Sequence, residues 1–174
     1  RQVYKCFGCG EGGDVFSFVE KMEGWDFKET LEELAKKAGV KLTSFVPTPA
    51  SRQKEKIIEV NKLASKFYTH ILTKHKLGEP ARNYLKKRGI AESMWEKFSL
   101  GFAPEGWENL GHFLTKRKFD LSEIAASGLV VVREKANEGF YDRFRGRIIF
   151  PIADFKGVVV GFSGRLLDDN KKQA

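Results

Sequence analysis

The chain has 174 residues, 41% of them hydrophobic, and a formal net charge of +8. That is enough apolar material for a real core in one or two domains. No apolar run approaches membrane-spanning length and no signal peptide is visible, so a cytoplasmic protein with no membrane partner is expected. The basic balance favours an acidic partner, nucleic acid ahead of anionic membrane, and the two cysteines are too few for a disulfide scaffold.

In chain order, Val3-Tyr4-Lys5 reads as a strand end, Cys6-Phe7-Gly8-Cys9 as a knuckle and Gly10 to Gly13 as an irregular turn. Two thiolates three positions apart match half of a tetrahedral zinc site. The alternative is a redox pair, but that motif opens a helix, and here a Gly-rich turn follows. His70, His75 and His112 are the only histidines, and they read as surface or packing residues rather than ligands. Asp14 caps a helix carrying Val15, Phe18, Val19 and Met22 on one face, and Gly24 stops it. Asp26 and Glu29 form a capping box for a second helix, whose inner stripe is Phe27, Leu31, Leu34, Ala35 and Ala38.

Residues 43–51, with two prolines, read as a linker. A long helix is predicted from Arg52 to Lys76, with Ser51 as its cap and Ile57, Val60, Ala64, Phe67 and Ile71 inward. Pro80 opens the next helix, which turns Ala81, Tyr84 and Leu85 inward and ends in Lys86-Lys87-Arg88. That basic trio either complements the helix dipole or contacts phosphate; both readings stand. Short helices follow over Ala91–Phe98 and Asn109–Lys118, separated by an extended Leu100–Pro104 and a turn at Glu105-Gly106-Trp107. Asp120 and Glu123 cap one more helix, Leu129–Arg133 is a strand, and 134–139 is a polar loop.

The remaining stretch reads as two strands. Ile148, Phe150 and Ile152 alternate in the first; Val158, Val160 and Phe162 alternate in the second. Asp154-Phe155-Lys156-Gly157 suits a type I turn ending at positive φ, which makes a three-residue loop. Such a loop sets even-numbered residues opposite even-numbered ones. Arg143, Arg145, Arg147 and Arg165 are then expected on one face, forming a cradle for a polyanionic strand. Helices first and hairpin-joined strands last make an α+β order with antiparallel pairing.

Two stretches carry a resemblance to the bacterial replicative primases of the DnaG type. YKCFGCGEGGD at Tyr4 to Asp14 resembles the second half of that family's zinc ribbon, and RFRGRIIFPIADFKGVVVGFSGR at Arg143 to Arg165 resembles the basic hairpin of its RNA polymerase domain. YLKKRG at Tyr84 to Gly89 and GFAPEGW at Gly101 to Trp107 agree in type and order. The resemblance implies a zinc-ribbon module over 1–42, a linker over 43–55, and over 56–174 the mainly helical N-terminal subdomain of a polymerase domain, leading into an antiparallel sheet. It implies DNA-templated synthesis of short RNA primers from nucleoside triphosphates, with replicative helicase and single-stranded-DNA-binding protein as partners. Cys6 and Cys9 would be zinc ligands, and Arg88, Arg145 and Arg165 would lie along the template groove; Arg143, Arg147, Lys86 and Lys87 are further candidates from their charge and position.

Two departures bear on activity. The family's first Cys-x-x-His pair has no counterpart in this chain, so the remaining two zinc ligands are expected elsewhere. The toprim carboxylates that hold Mg2+ or Mn2+ also have no match before Leu167, and Asp168 and Asp169 read as solvated, so this stretch alone is expected to be inactive. The alternative is a stand-alone zinc-ribbon and basic-groove module with no polymerase activity.

Overall fold

Residues 2–42, 49–133 and 139–167 are described by a computed structural model, in which the chain divides into two units, 1–47 and 48–174. The first unit begins with a ribbon. Val3–Lys5 (β1) pairs antiparallel with Gly12–Asp14 (β2), Tyr4 opposite Gly13, so the glycines expected in an irregular turn partly form a strand. Asp14 then accepts the Ser17 N–H at 2.9 Å and starts helix α1 (Val15–Glu23). Helix α2 (Phe27–Lys37) opens with the expected box: Asp26 accepts from the Glu29 N–H at 2.9 Å and Glu29 accepts from the Asp26 N–H at 3.2 Å. Burial here is thin. Among the described residues only Thr30 and Ala35 are buried, while Phe27 and Met22, both expected inside, are 55% and 68% exposed. So short a unit has little interior to offer.

The second unit is built on helix α3 (Pro49–Thr73), which buries Val60, Ala64, Tyr68, Ile71 and Leu72. It begins three residues ahead of the expected Arg52, because a proline in the first turn lacks only an N–H that would be unpaired anyway. Ser51 is therefore inside the helix rather than its cap, and residues 49–55, assigned to a linker from the sequence, are helical. The rest of that linker, 43–48, lies outside the described residues. Arg82 Nη1 donates to the carbonyls of Leu72 at 2.6 Å and His75 at 3.0 Å, closing the C-terminal end of α3.

Helices α4 (Glu79–Lys87) and α5 (Glu92–Lys97) lead to strand β3 (Gly101–Ala103). Helices α6 (Asn109–Thr115) and α7 (Leu121–Ala126) come next, α6 ending three residues short of the expected Lys118. Strands β4 (Val130–Val132) and β5 (Phe140–Asp142) form a separate antiparallel ribbon. The main sheet has the order β3-β6-β7, with β6 (Arg147–Ala153) central and β7 (Val159–Leu166) its hairpin partner. The pairing of β3 with β6, Phe102 opposite Ile148, is not visible in the local sequence. Gly101 lets β3 lie against α3, since a Cβ there would meet the Tyr68 Cβ at 2.4 Å.

Two apolar clusters sandwich this sheet. Ile149 joins Val60, Ala64, Tyr68, Leu110, Leu114 and Ile124 on one side, and Ile148 joins Leu72, Leu85, Trp95 and Phe102 on the other. Pro151 is tolerated in β6 because β3 pairs only with Arg147 to Ile149, leaving that stretch of edge without a ladder partner on the β3 side. No helix among the described residues is long and apolar enough to cross a membrane.

Candidate nucleic-acid interface

The hairpin loop forms as its residues dictate. Asp154 O accepts from Gly157 N at 3.0 Å, Gly157 sits at φ 78°, and Asp154 N donates to Val158 O at 2.9 Å. Asp154 Oδ1 also accepts from Lys156 N and Val158 N, each at 2.9 Å. Parity near the loop is the expected one, Ala153 opposite Val159. One step on it reverses: Ile152 pairs with Gly161, which leaves Val160 as an extra, half-exposed residue. Beyond that bulge Ile148 faces Arg165 and Arg147 faces Leu166.

The single four-arginine face is therefore corrected. Arg165 lies on the Ile148 side of the sheet, Arg147 on the side of Ile149 and Phe162, and Arg143 and Arg145 precede the strand altogether. Alternation selects a face only where the opposite one is solvated. Ile148 and Ile149 are both fully buried, so the period-2 pattern could not choose a face.

Two arginine–aromatic assemblies stand in place of one cradle. In the first, Arg88 at the end of α4 and Arg165 of β7 both donate through Nε to the Tyr84 hydroxyl, at 3.2 and 2.9 Å. Those hydrogen bonds, that of Arg88 foremost, hold the Tyr84 phenol below its ordinary range. The group rims a cavity of about 340 Å³ floored by Leu85, Ile90, Ile148 and Phe150. Lys86 is engaged by Glu92 at 2.9 Å, and Lys87 is exposed in the last turn of α4.

In the second assembly the Arg145 guanidinium lies 4.3 Å from the Trp107 ring centroid and 5.3 Å from that of Tyr141. The two rings meet edge to face at 6.0 Å, and Arg133 stands 5.8 Å from Tyr141. Asp142 ties these parts together. Its N–H donates to Trp107 O at 2.6 Å, its carbonyl accepts from Arg145 Nη1, and its carboxylate accepts from Leu110 N at 2.7 Å and Gly111 N at 2.9 Å. Burial pushes the Asp142 carboxyl above its usual range despite those donors and the nearby Arg145. Arg143 Nε donates to Gly128 O at 2.6 Å and Arg147 Nη1 to Gly164 O at 3.3 Å, so both also serve the backbone.

Sequence reasoning named the arginines but not Tyr84, Trp107 or Tyr141 as their partners. The available signal was aromatic residues beside basic ones: Tyr84 four before Arg88, Tyr141 four before Arg145, and the exposed Trp107 in its Gly-flanked turn.

In the first unit, Cys6 and Cys9 flank the tip of the β1–β2 ribbon, both exposed. Gly10 N donates to Cys6 O at 3.0 Å and Cys6 N to Glu11 O at 2.6 Å, which closes the knuckle. The Cys9 N–H first, then that of Gly8, hold the Cys6 thiol below its ordinary range, as suits a thiolate ligand. The pair fits half of a tetrahedral sulfur-rich site, and among the described residues no group of three or more metal-ligating side chains gathers. His75 accepts the Leu77 N–H at 3.2 Å and His112 lies 3.3 Å from Glu108, both in the second unit.

The family described as "DNA primase catalytic core, N-terminal domain" matches residues 67–174, and the "CHC2 zinc finger" family matches residues 1–48. The DNA primase of Halalkalibacterium halodurans is 44% identical over 173 residues, 98% of this chain and 29% of that protein. The RNA polymerase domain of Mycobacterium tuberculosis primase DnaG, solved with a double-stranded DNA oligomer with a 6-nucleotide overhang, aligns at TM-score 0.62 and 34% identity over 68% of this chain and 36% of that one. The zinc-binding and RNA polymerase domains of Aquifex aeolicus primase align at TM-score 0.59 and 32% identity over 99% of this chain and 40% of that one. The chain spans 26–29% of the length of the curated relatives it matches.

Proposed function

Because the chain belongs to the DnaG-type DNA primases, we propose that it is the template-gripping part of an enzyme that makes short RNA primers on single-stranded DNA. Its 1–42 module is the zinc ribbon, and the residues after α3 begins make up the N-terminal subdomain of the polymerase domain. Cys6 and Cys9 hold one side of the zinc, and two further ligands come from outside this chain. The ion, when bound, cross-links the knuckle and stiffens the ribbon. Primer synthesis uses nucleoside triphosphates and Mg2+ or Mn2+ held by carboxylates of the parent protein, so the 174 residues by themselves bind template and do not polymerise. Replicative helicase and single-stranded-DNA-binding protein are the partners that fit this role.

One observation carries the template reading. Arg145 is stacked against Trp107 and Tyr141, and Trp107 remains 57% exposed. A cation fixed beside an open ring is what sequence-tolerant single-strand binding uses: charge for the phosphates, a π-face for the bases. The second assembly, Arg88 and Arg165, adds phosphate-directed guanidiniums, with Arg143, Arg147, Lys86 and Lys87 as further contacts.

The test is salt-titrated binding of a labelled oligo(dT) strand. Affinity falls steeply with salt, and each backbone contact removed flattens the log–log slope by about 0.7. Arg145→Glu and Arg165→Glu each weaken binding about tenfold or more, whereas Lys116→Glu changes it less than about twofold. Equal losses at all three positions would reduce the reading to nonspecific charge.

A further inference from the structure

We propose that Tyr84 is the positioning residue of a two-arginine clamp, its phenol oxygen holding Arg88 and Arg165 side by side so that both guanidiniums meet one phosphate of the bound strand. The inference rests on the template reading above and supplies what makes two of its arginines act as a unit.

The two cations come from elements far apart in the chain, α4 and β7, and they repel one another. A single acceptor bridges them. Tyr84 Oη takes the Nε–H of Arg88 at 3.2 Å and the Nε–H of Arg165 at 2.9 Å, across a sequence separation of 81 residues in the latter case. Arg88 is further steered by the Tyr84 ring, its guanidinium carbon 5.6 Å from the centroid. A phenol oxygen that accepts twice has its remaining capacity in its own proton, and acceptance from charged donors strengthens that proton as a donor. The arrangement thus presents two guanidiniums with a hydroxyl donor between them. Beneath it lie Leu85, Ile90, Ile148 and Phe150, an apolar floor that offers the guanidiniums no competing acceptor.

The phenol also makes the clamp pH-sensitive in a defined direction. Among the described residues, the charged groups facing it are Arg88 at the end of its own helix and Arg165 on β7; β6 presents the uncharged Ile148 and Phe150. Both arginines draw its titration below the ordinary tyrosine range. Loss of the proton puts a negative charge between the guanidiniums and removes the hydroxyl donor. Phosphate binding therefore weakens as pH rises through the lowered titration range of the phenol.

The experiment measures oligo(dT) binding by the 174-residue chain, comparing wild type, Tyr84→Phe, Arg88→Ala/Arg165→Ala and the triple variant at several pH values and salt concentrations. Tyr84→Phe keeps the ring and removes the hydroxyl, acceptor and donor together. It is expected to weaken binding roughly three- to tenfold in the wild-type background and to have no effect once both arginines are alanine, as coupled residues do. The loss of affinity expected of wild type as pH rises through the phenol titration is absent in Tyr84→Phe, while thermal unfolding of the two proteins coincides. If Tyr84→Phe binds as wild type while the double arginine variant is weakened, the clamp does not need the phenol and the proposal falls, with the template reading intact. An equal Tyr84→Phe loss with and without the arginines would also overturn it, since the ring would then be acting on the strand directly. Arginine variants that bind as wild type, with an unchanged salt slope, would remove these residues from the template path and the clamp with them.

Discussion

Asp142 shows how much one buried carboxylate can organise. It is 2% exposed, and its two carboxylate oxygens each accept one backbone N–H, from Leu110 and Gly111 at the start of α6. Its own backbone groups reach Trp107 and Arg145, so the stack that presents Arg145 is fastened through this residue. Asp142→Asn turns an amide N–H2 toward one of the two donors, which costs about 1–3 kcal/mol. Urea unfolding monitored by tryptophan fluorescence checks this. The pH dependence has a definite sign. Burial places the folded-state carboxyl above its ordinary, unfolded range, so the folded protein binds the proton more tightly. Stability contributed by this group is highest below the unfolded range and declines as pH rises through the folded-state value. The asparagine variant lacks that decline, so wild type gains on it as the solution is acidified. Sequence placed Asp142 beside the arginines, but not inside: an acid next to a basic run reads as surface.

At the scale of the element, the decisive feature is the bulge at Val160. The local pattern identified the hairpin, the Asp154–Gly157 turn and its three-residue loop, all of which depend on neighbours in sequence. The side chosen by Arg165 depends on one extra residue, and that residue is there because of what packs on β7. Phe162 meets Tyr68 at 5.8 Å on one side while Arg165 reaches Tyr84 on the other. Inserting one alanine between Gly161 and Phe162 forces the outer half of β7 to slip by one place, driving Arg165 toward the Ile149 core and Phe162 away from Tyr68. A loss of about 3 kcal/mol or more is expected, by chemical denaturation. Val160→Asp leaves the count intact at a half-exposed position and should shift stability by no more than about 0.5 kcal/mol. If the insertion were as mild as the substitution, the register beyond the bulge would not be what sets the face of Arg165.

For the molecule as a whole, the two units differ in what holds them. Both large apolar clusters are assembled from residues between Val60 and Leu167, none from the ribbon. Cys6→Ser should therefore lower bound zinc, measured by metal analysis, and leave the principal thermal unfolding transition within about 1 °C of wild type. A shift of several degrees, which corresponds to about 1 kcal/mol in a domain of this size, would show that the second unit leans on the knuckle. This separation follows from size: a short ribbon with thin burial relies on a metal cross-link, whereas the longer unit encloses its own interior.

Much of the protein was readable one neighbourhood at a time. The Asp26–Glu29 and Asp120–Glu123 boxes, the Cys6–Cys9 knuckle, the Gly157 turn and the arginines themselves are set by contacts within a few residues. Motif likeness in YLKKRG, GFAPEGW and the basic hairpin carried the family. What needed the folded chain was every relation between distant segments: β3 lying on β6, the sheet closed on both sides, and Tyr84 joining Arg88 to Arg165. The physical reason is the same in each case. A backbone turn is chosen by the torsional freedom of the residues in it. The direction a strand side chain takes is chosen by which of its two faces finds a partner, and those partners lie scores of residues away.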